Sequence, residues 1–170
     1  NTGTGLKKKI FVGNISAGKS SMINFLFDRN EDTGLGEITS EIKEVYVYNK
    51  IKIYDCPGFN EDFSISRVEV IEKLSTFDQI YILDNDSIKT INDIIKIIFA
   101  IFDIKDIFFV RTHCDQSKKT DKKTIQKEID NDIKNLKELL GIEINPEQIF
   151  ATSAKIDGFE NEKLKKSLLS

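Results

Sequence analysis

The sequence predicts an α/β fold: a six-stranded, mostly parallel sheet with one antiparallel strand and helices on both faces. Three observations carry this. Strand-like apolar runs alternate with helix-like runs along the chain, the pattern of a parallel sheet with helical crossovers. One pair of strand runs is separated only by Asn49-Lys50, too short for a crossover, so those two form an antiparallel hairpin. A glycine loop, Gly13-Asn14-Ile15-Ser16-Ala17-Gly18-Lys19-Ser20, sits between a short apolar run and a helix start.

The elements follow in order. The run Ile10-Phe11-Val12 predicts a strand over 9–12, and Ser21-Met22-Ile23-Asn24-Phe25-Leu26-Phe27 a helix over 19–27. The hairpin strands cover 42–48 and 51–54. A helix over 67–76 leads to a strand over 79–83. The next helix, 88–102, carries Ile88, Ile91, Ile94, Ile95, Ile98, Phe99, Ile101 and Phe102. That stripe is wider than one sheet face needs; core packing is the first reading and a partner interface the second. A strand over 107–111 precedes a helix over 122–140. There Ile125, Ile129, Ile133, Leu136 and Leu140 recur at helical spacing as one apolar stripe, and Gly141 follows as a stop. A strand over 148–151 and a helix over 160–169 come last. Segments 28–39 and 57–66 are polar and aperiodic, and both lie on the side where open α/β sheets bind ligands, the carboxyl ends of the strands.

Bulk composition sets the frame. At 170 residues, 39% hydrophobic and 31% charged, the chain suffices for one domain with its own core. We expect a short flexible segment over 1–6 and a single domain over 7–170. A net charge of −3 favours neither nucleic acid nor an anionic membrane, so no nucleic-acid partner is expected. The lysine runs at 7–9, 118–119 and 122–123 read as solvated faces. Cys56 and Cys114 lie far apart, form no disulfide framework and suit a reducing, cytoplasmic setting as small half-buried fillers. The greasiest stretch, Ile94 to Phe102, is too short to span a bilayer and is broken by Lys96. No signal peptide precedes the first strand. The chain opens Asn1-Thr2-Gly3-Thr4-Gly5 without an initiator Met, as an excerpt of a longer protein would.

The chemistry gathers at strand ends. The glycine loop is a complete G-x-x-x-x-G-K-[ST] phosphate loop in its required strand–loop–helix context. Backbone N–H groups and the helix N-terminus capture an anion, Lys19 reaches the outer phosphates, and the Ser20 hydroxyl binds Mg²⁺. The plain alternative is a strand–helix turn without ligand. Asp55-Cys56-Pro57-Gly58 follows the third strand. Asp55 there can orient a Mg²⁺-bound water, and Gly58 lets a backbone N–H approach a γ-phosphate; an ordinary turn is the alternative. Thr39 offers a hydroxyl that ligates Mg²⁺ only while the γ-phosphate holds its loop, an order–disorder switch. Thr33 and Ser40 compete for that role. Thr112-His113-Cys114-Asp115 follows the fifth strand. A buried Asp115 carboxylate can accept from guanine N1 and N2, donors that adenine does not pair in this way. Ser153-Ala154-Lys155 follows the sixth strand and its amides can donate to guanine O6.

In this order the four motifs resemble the TRAFAC class of P-loop GTPases, from about residue 7 to 170. The loop 13–21 is similar to that of dynamin-type GTPases, including Ser16. Thr33-Gly34-Leu35-Gly36-Glu37-Ile38-Thr39 and Phe109-Val110-Arg111-Thr112 resemble the immunity-related GTPases, the nearest of the three likenesses. The Thr112-His113 pair resembles septin-like GTPases of the chloroplast-import type. The resemblance implies a Ras-like G domain that binds GTP and GDP with Mg²⁺ and hydrolyses GTP. It places Asn14, Ser16, Ala17, Gly18, Lys19, Ser20 and Ser21 on the phosphates. Thr112, His113, Asp115, Ser153, Ala154 and Lys155 take the base, and Ser20, Thr39 and Asp55 the metal. Turnover falls to Ser16, Lys19, Thr39 and Gly58.

Two departures stand out. His113 replaces the usual Lys or Gln and would cover the base plane by stacking. Phe59 follows Gly58, where Ras-like enzymes carry a water-orienting Gln. Phe cannot orient water, so intrinsic hydrolysis should be slow. The dynamin-like and immunity-related likeness implies that two G domains face each other as a GTP-dependent homodimer. Arg29 and Arg67, in or near the loops, are candidate fingers, with solvated surface arginine as the plainer reading. Any effector or membrane association would run through regions outside this chain. Two rivals remain: a GTP-gated binding module with little hydrolysis, and a P-loop kinase or ATPase, against which Asp115 counts.

Overall fold

The computed structural model describes residues 5–13, 19–28, 42–56, 67–84, 92–112, 122–152 and 160–170. Their elements run β1 (Lys7–Gly13), α1 (Lys19–Phe27), β2 (Lys43–Tyr48), β3 (Ile51–Asp55), α2 (Arg67–Leu74) and β4 (Gln79–Asp84). Then come α3 (Asn92–Ile101), β5 (Ile107–Arg111), α4 (Lys122–Leu140), β6 (Ile149–Ala151) and α5 (Asn161–Leu168). The strands form one six-stranded sheet in the order β2-β3-β1-β4-β5-β6. Only β2 runs antiparallel, paired with β3 across the Asn49-Lys50 turn, where Asn49 takes φ 53. The fold class expected from sequence is the fold observed.

Period-two alternation sorts the side chains onto two faces. Ile10 and Val12 of β1, Ile80 and Ile82 of β4, and Ile107 and Phe109 of β5 point one way. They pack with Leu74 of α2, Ile95 and Ile98 of α3, and Ile129 and Leu136 of α4. Phe11, Tyr81, Leu83, Val110 and Phe150 point the other way and meet Met22, Ile23 and Leu26 of α1 and Leu164 and Leu168 of α5. On this second face an aromatic row crosses four strands: Phe11–Tyr81 at 5.8 Å, Tyr81–Phe108 at 4.6 Å and Phe108–Phe150 at 6.3 Å. Each fully buried large apolar side chain of this kind contributes about 1.5–3 kcal/mol.

The differences from the sequence expectation have local causes. Helix α2 stops at Leu74 rather than 76. The Ser75 and Thr76 hydroxyls donate back to the Glu72 and Lys73 carbonyls, which competes with a further helical turn. Gln148 belongs to a 3-10 turn, not to the last strand, and its Nε2 donates to the Ile104 and Ile107 carbonyls. Gly141 ends α4 as expected: at φ 65 its N–H donates to the Lys137 carbonyl at 2.9 Å. The part of the α3 stripe within the described residues is core: Ile95 and Ile98 are fully buried, and Phe99, Ile101 and Phe102 pack against the same cluster. Residues 88–91 of the expected helix lie outside the described residues.

The solvated-face reading fails at Lys9, which is fully buried. It stands on the α5 face of β1, and its Nζ donates to the main-chain oxygens of Ser167 at 2.8 Å and Ser170 at 3.0 Å. A lysine at a helix C-terminus satisfies carbonyls that the helix leaves open. Tyr81 joins the same contact, its hydroxyl 2.8 Å from Ser167 Oγ. Lys8, on the opposite face, lies over the Tyr54 and Phe77 rings at 5.3 and 4.6 Å. No helix among the described residues is long and apolar enough to cross a membrane.

Candidate functional site

The parallel register brings the strand ends to one rim. Phe11 pairs with Asp55, Gly13 with Leu83, Asp84 with Arg111, and Arg111 with Ala151. The strand ends that precede the expected site segments in sequence therefore lie side by side.

At the first part of the rim, Lys19, Ser20 and Ser21 open α1. The first turn of this helix carries no acidic residue, so its positive pole is not neutralised from within. Asp55 closes β3, and the Cys56 N–H that follows donates to the Phe11 carbonyl at 2.9 Å. That bond holds the strand end against β1. Lys19 Nζ sits 3.2 Å from Asp55 Oδ1, with both side chains more than nine-tenths buried. A buried charge is costly unless a counter-charge or hydrogen bonds compensate it, and here a counter-charge does. This cation and carboxylate form a pair that an incoming anion and cation can replace charge for charge. Cys56 is buried beneath the pair, and burial pushes its thiol up to about 12, with the Lys19 charge opposing. It is a neutral filler and not a nucleophile, more deeply buried than its composition suggested.

At the second part of the rim, Thr112 follows β5 and Thr152 follows β6, both buried. The Thr112 N–H donates to the Asp84 carbonyl at 2.8 Å. Thr152 gives the Arg111 carbonyl two bonds, from its N–H at 2.8 Å and its hydroxyl at 2.9 Å. Glu160 closes the other side: its N–H donates to the Ala151 carbonyl, and its Oε1 accepts from the Ala151 N–H at 3.0 Å. So the segments holding Thr112–Asp115 and Ser153–Lys155 start from cross-linked strand ends.

Sequence reasoning missed what anchors this rim. Arg111 Nε lies 3.2 Å from Glu128 Oε2, and its Nη1 donates to Asp132 Oδ2 at 2.9 Å. Glu128 and Asp132 are one helical turn apart on α4, and that spacing beside a strand-end arginine was the available signal. Burial pushes the Asp132 carboxyl up to about 6; Arg111 opposes the rise, and Asp84 and Glu128 add to it.

Of the expected residues, the structure brings together Lys19 and Asp55, with Ser20 and Ser21 on the same helix start. Thr112 takes its expected strand end. Asn14, Ser16, Ala17, Gly18, Thr39, Gly58, His113, Asp115, Ser153, Ala154 and Lys155 lie outside the described residues, as do Phe59, Arg29, Thr33, Ser40, Cys114 and most of segments 28–39 and 57–66. Among the described residues no three His, Cys, Asp or Glu side chains form a metal-holding group. The donors that fit Mg²⁺ here are one carboxylate, Asp55, and one hydroxyl, Ser20. Hard oxygen donors in so small a number suit an ion that takes its remaining ligands from phosphates and water.

Solved structures share this fold. A bacterial selenocysteine-specific elongation factor, EF-Sec, matches with TM-score 0.68 and 18% identity over 96% of this chain. Era in complex with MgGDPNP and a stretch of 16S ribosomal RNA gives 0.64 and 19% over 96%. A probable GTP-binding protein engB gives 0.60 and 19% over 95%. The chain spans 28% of the EF-Sec chain, 56% of the Era chain and 98% of the engB chain. No curated protein matches it. The family model described as 50S ribosome-binding GTPase matches residues 8–145, from β1 through the phosphate loop, the hairpin and β5 to the end of α4, and the chain belongs to that family of P-loop GTPases.

Proposed function

We propose that this G domain binds GTP and GDP with Mg²⁺ and hydrolyses GTP to GDP and phosphate, with 28–39 and 57–66 as nucleotide-dependent switch loops. The observation that carries the reading is the buried Lys19–Asp55 pair at the start of α1. Lys19, with the amides around Asn14, Ser16, Ala17, Gly18 and Ser21, would hold the β- and γ-phosphates. Ser20 and Thr39 would ligate the metal, with Asp55 behind a water. Mg²⁺, when bound, supplies charge neutralisation at the phosphates. Gly58 would sense the γ-phosphate through its N–H. Asp115 would accept from guanine N1 and N2, the Ser153–Lys155 amides would donate to O6, and Thr112 and His113 would flank the base.

Phe59 supports slow intrinsic turnover that a second G domain completes, with Ser16 helping at the shared site. The α3 stripe lends this dimer no support, because its described residues are core. Likeness to immunity-related GTPases, with a dynamin-like loop, rests on segments 33–39, 109–112 and 13–21 alone. The same reading makes 7–170 one domain behind a flexible 1–6, cytoplasmic, and peripheral to membranes only through a longer chain. The RNA in the Era structure is that protein's partner, and a net charge of −3 gives no reason to assign one here. The deciding experiment is GTP turnover per molecule with Mg²⁺ over a wide protein concentration range. A specific rate that climbs supports mutual activation. A flat, slow rate leaves a monomeric switch. GTP binding without turnover sinks the hydrolase reading in favour of the gated module, which Phe59 also supports.

A further inference from the structure

We propose that Arg111 is a positioning residue for base recognition, fixing the spacing of the two strand ends from which the guanine-reading segments depart. The inference rests on the guanine-nucleotide reading above. Arg111 is the last residue of β5, between β4 and β6 in the sheet. Its guanidinium is held on two sides by α4, through Glu128 at 3.2 Å and Asp132 at 2.9 Å. Its carbonyl is held twice by Thr152, at 2.8 and 2.9 Å. One residue therefore ties a helix, a strand end and the neighbouring strand end together.

The consequence follows from chain connectivity. Thr112, next after Arg111, opens the segment that ends at Asp115. Thr152, held by Arg111, directly precedes Ser153-Ala154-Lys155. Contacts to N2 and O6 of one purine come from those two segments, so their separation must be fixed to a fraction of an ångström for both to form. Base discrimination of this kind depends on a donor or acceptor being left unpaired by the wrong base. A rim that can splay lets the wrong base in at little cost. Two carboxylates hold the guanidinium in one orientation, a geometric constraint that a point-charge lysine meets only in part. The groups facing Asp132 are Arg111 from β5, Asp84 from β4 and Glu128 from α4. With Asp132 poised near pH 6, acid weakens one arm of the clamp.

The test is calorimetric affinity for GDP, IDP and ADP. IDP lacks only the 2-amino group, so the GDP-over-IDP ratio reports the Asp115 contact. The proteins are wild type, Arg111→Met, Arg111→Lys and the double variant Glu128→Gln/Asp132→Asn. Arg111→Met should bind GDP about tenfold more weakly and narrow the GDP-over-IDP ratio several-fold. Arg111→Lys should restore part of that ratio, and the double variant should narrow it without touching Arg111. A wild type that does not prefer GDP over ADP overturns the guanine reading itself. A wild type that prefers GDP, beside a folded Arg111→Met with the same GDP-over-IDP ratio, overturns this inference alone. Should Arg111→Met fail to fold, the same ratio in the double variant decides: unchanged, the inference falls.

Discussion

Among the described residues two lysines are almost wholly removed from water, and they meet different surroundings. Lys19, at the carboxyl end of the sheet, faces the Asp55 carboxylate at 3.2 Å. Lys9, nearer the other end, donates to main-chain oxygens, those of Ser167 and Ser170 at 2.8 and 3.0 Å. Burial, helped by the Lys7 charge, lowers the Lys9 pKa from its ordinary 10.5 to about 8. The difference separates two uses of a buried cation. A lysine beside a carboxylate can pass to a phosphate when a metal ion takes over the carboxylate. A lysine tied to main-chain oxygens at the end of α5 serves to hold that helix against the sheet. On the proposed reading the first belongs to the candidate site and the second to the fold.

The largest expected effect tests the first half of that statement. Lys19→Met should weaken GDP binding at least a hundredfold, or about 2.7 kcal/mol. It should also take away the cation 3.2 Å from the buried Asp55 carboxylate, and breaking a buried pair costs about 3–5 kcal/mol of stability without nucleotide. Calorimetry and denaturant unfolding read the two effects separately. Intact GDP affinity would break the comparison, since Lys19 would then be no more of a site residue than Lys9. Lys9→Met is the control: its GDP affinity should stay within about twofold of wild type.

The stability of Lys9→Met should depend on pH, with a sign set by the lowered pKa. Between pH 8 and 10.5 the unfolded chain still carries the proton that the folded chain has lost, so folding grows more favourable as pH rises. Wild type should gain up to about 3 kcal/mol over Lys9→Met across that window, at about 1.4 kcal/mol per pH unit. The advantage is complete above 10.5 and is lost as pH falls through 8. A constant difference between the two proteins from pH 7 to 10.5 would remove the desolvation account of Lys9.

Why one lysine was legible in the sequence and the other was not follows from how each is specified. Lys19 is fixed by local spacing: the glycine loop, the strand before it and the helix after it are all contiguous. The six strands, the hairpin at Asn49-Lys50 and the stop at Gly141 were readable for the same reason. Lys9 sits in a run of three lysines, where strand alternation puts every second side chain on one face but does not say which face a distant helix will cover. Its partners are 158 and 161 residues away. The Arg111 clamp was hidden likewise, because each member looks like an ordinary surface charge until α4 lies over β5. In the candidate site, sequence named the residues proposed to touch a ligand, and of these the structure brings Lys19 and Asp55 together. The residues that hold strand ends in place, Arg111, Thr152 and Glu160, emerged only from tertiary packing.

Asp132 turns the comparison around, because it is a buried carboxylate whose cation partner does not fully compensate it. Its pKa is raised from 3.8 to about 6, mainly by burial. Here the folded chain holds the proton that the unfolded chain has lost. The stabilising contribution is complete below pH 3.8 and disappears as pH rises through 6. Relative to Asp132→Asn, wild type should lose about 2–3 kcal/mol between pH 4 and 6.5, opposite in sign to Lys9 and in a separate window. Denaturant midpoints at half-unit pH steps would show it. A wild type that gains on the variant over this range would mean that the Arg111 attraction outweighs burial.

The smallest effect concerns a position where only the backbone is at stake. Gly141 ends α4 at φ 65, and a Cβ built there meets nothing within 4 Å. Gly141→Ala therefore adds no clash. It carries only the left-handed backbone penalty for an L-residue, about 1–2 kcal/mol. A less flexible unfolded chain returns about 0.4–1 kcal/mol of that. The net loss should be close to 1 kcal/mol, with Gly141→Asn costing less because asparagine tolerates this conformation. GDP affinity should not move in either variant. Because Gly141 belongs with Lys9 on the side of the fold, a shift in affinity from so small a backbone strain would show that α4 transmits to the rim it clamps through Arg111, and that the separation between holding the fold and building the site is less complete than the two lysines suggest.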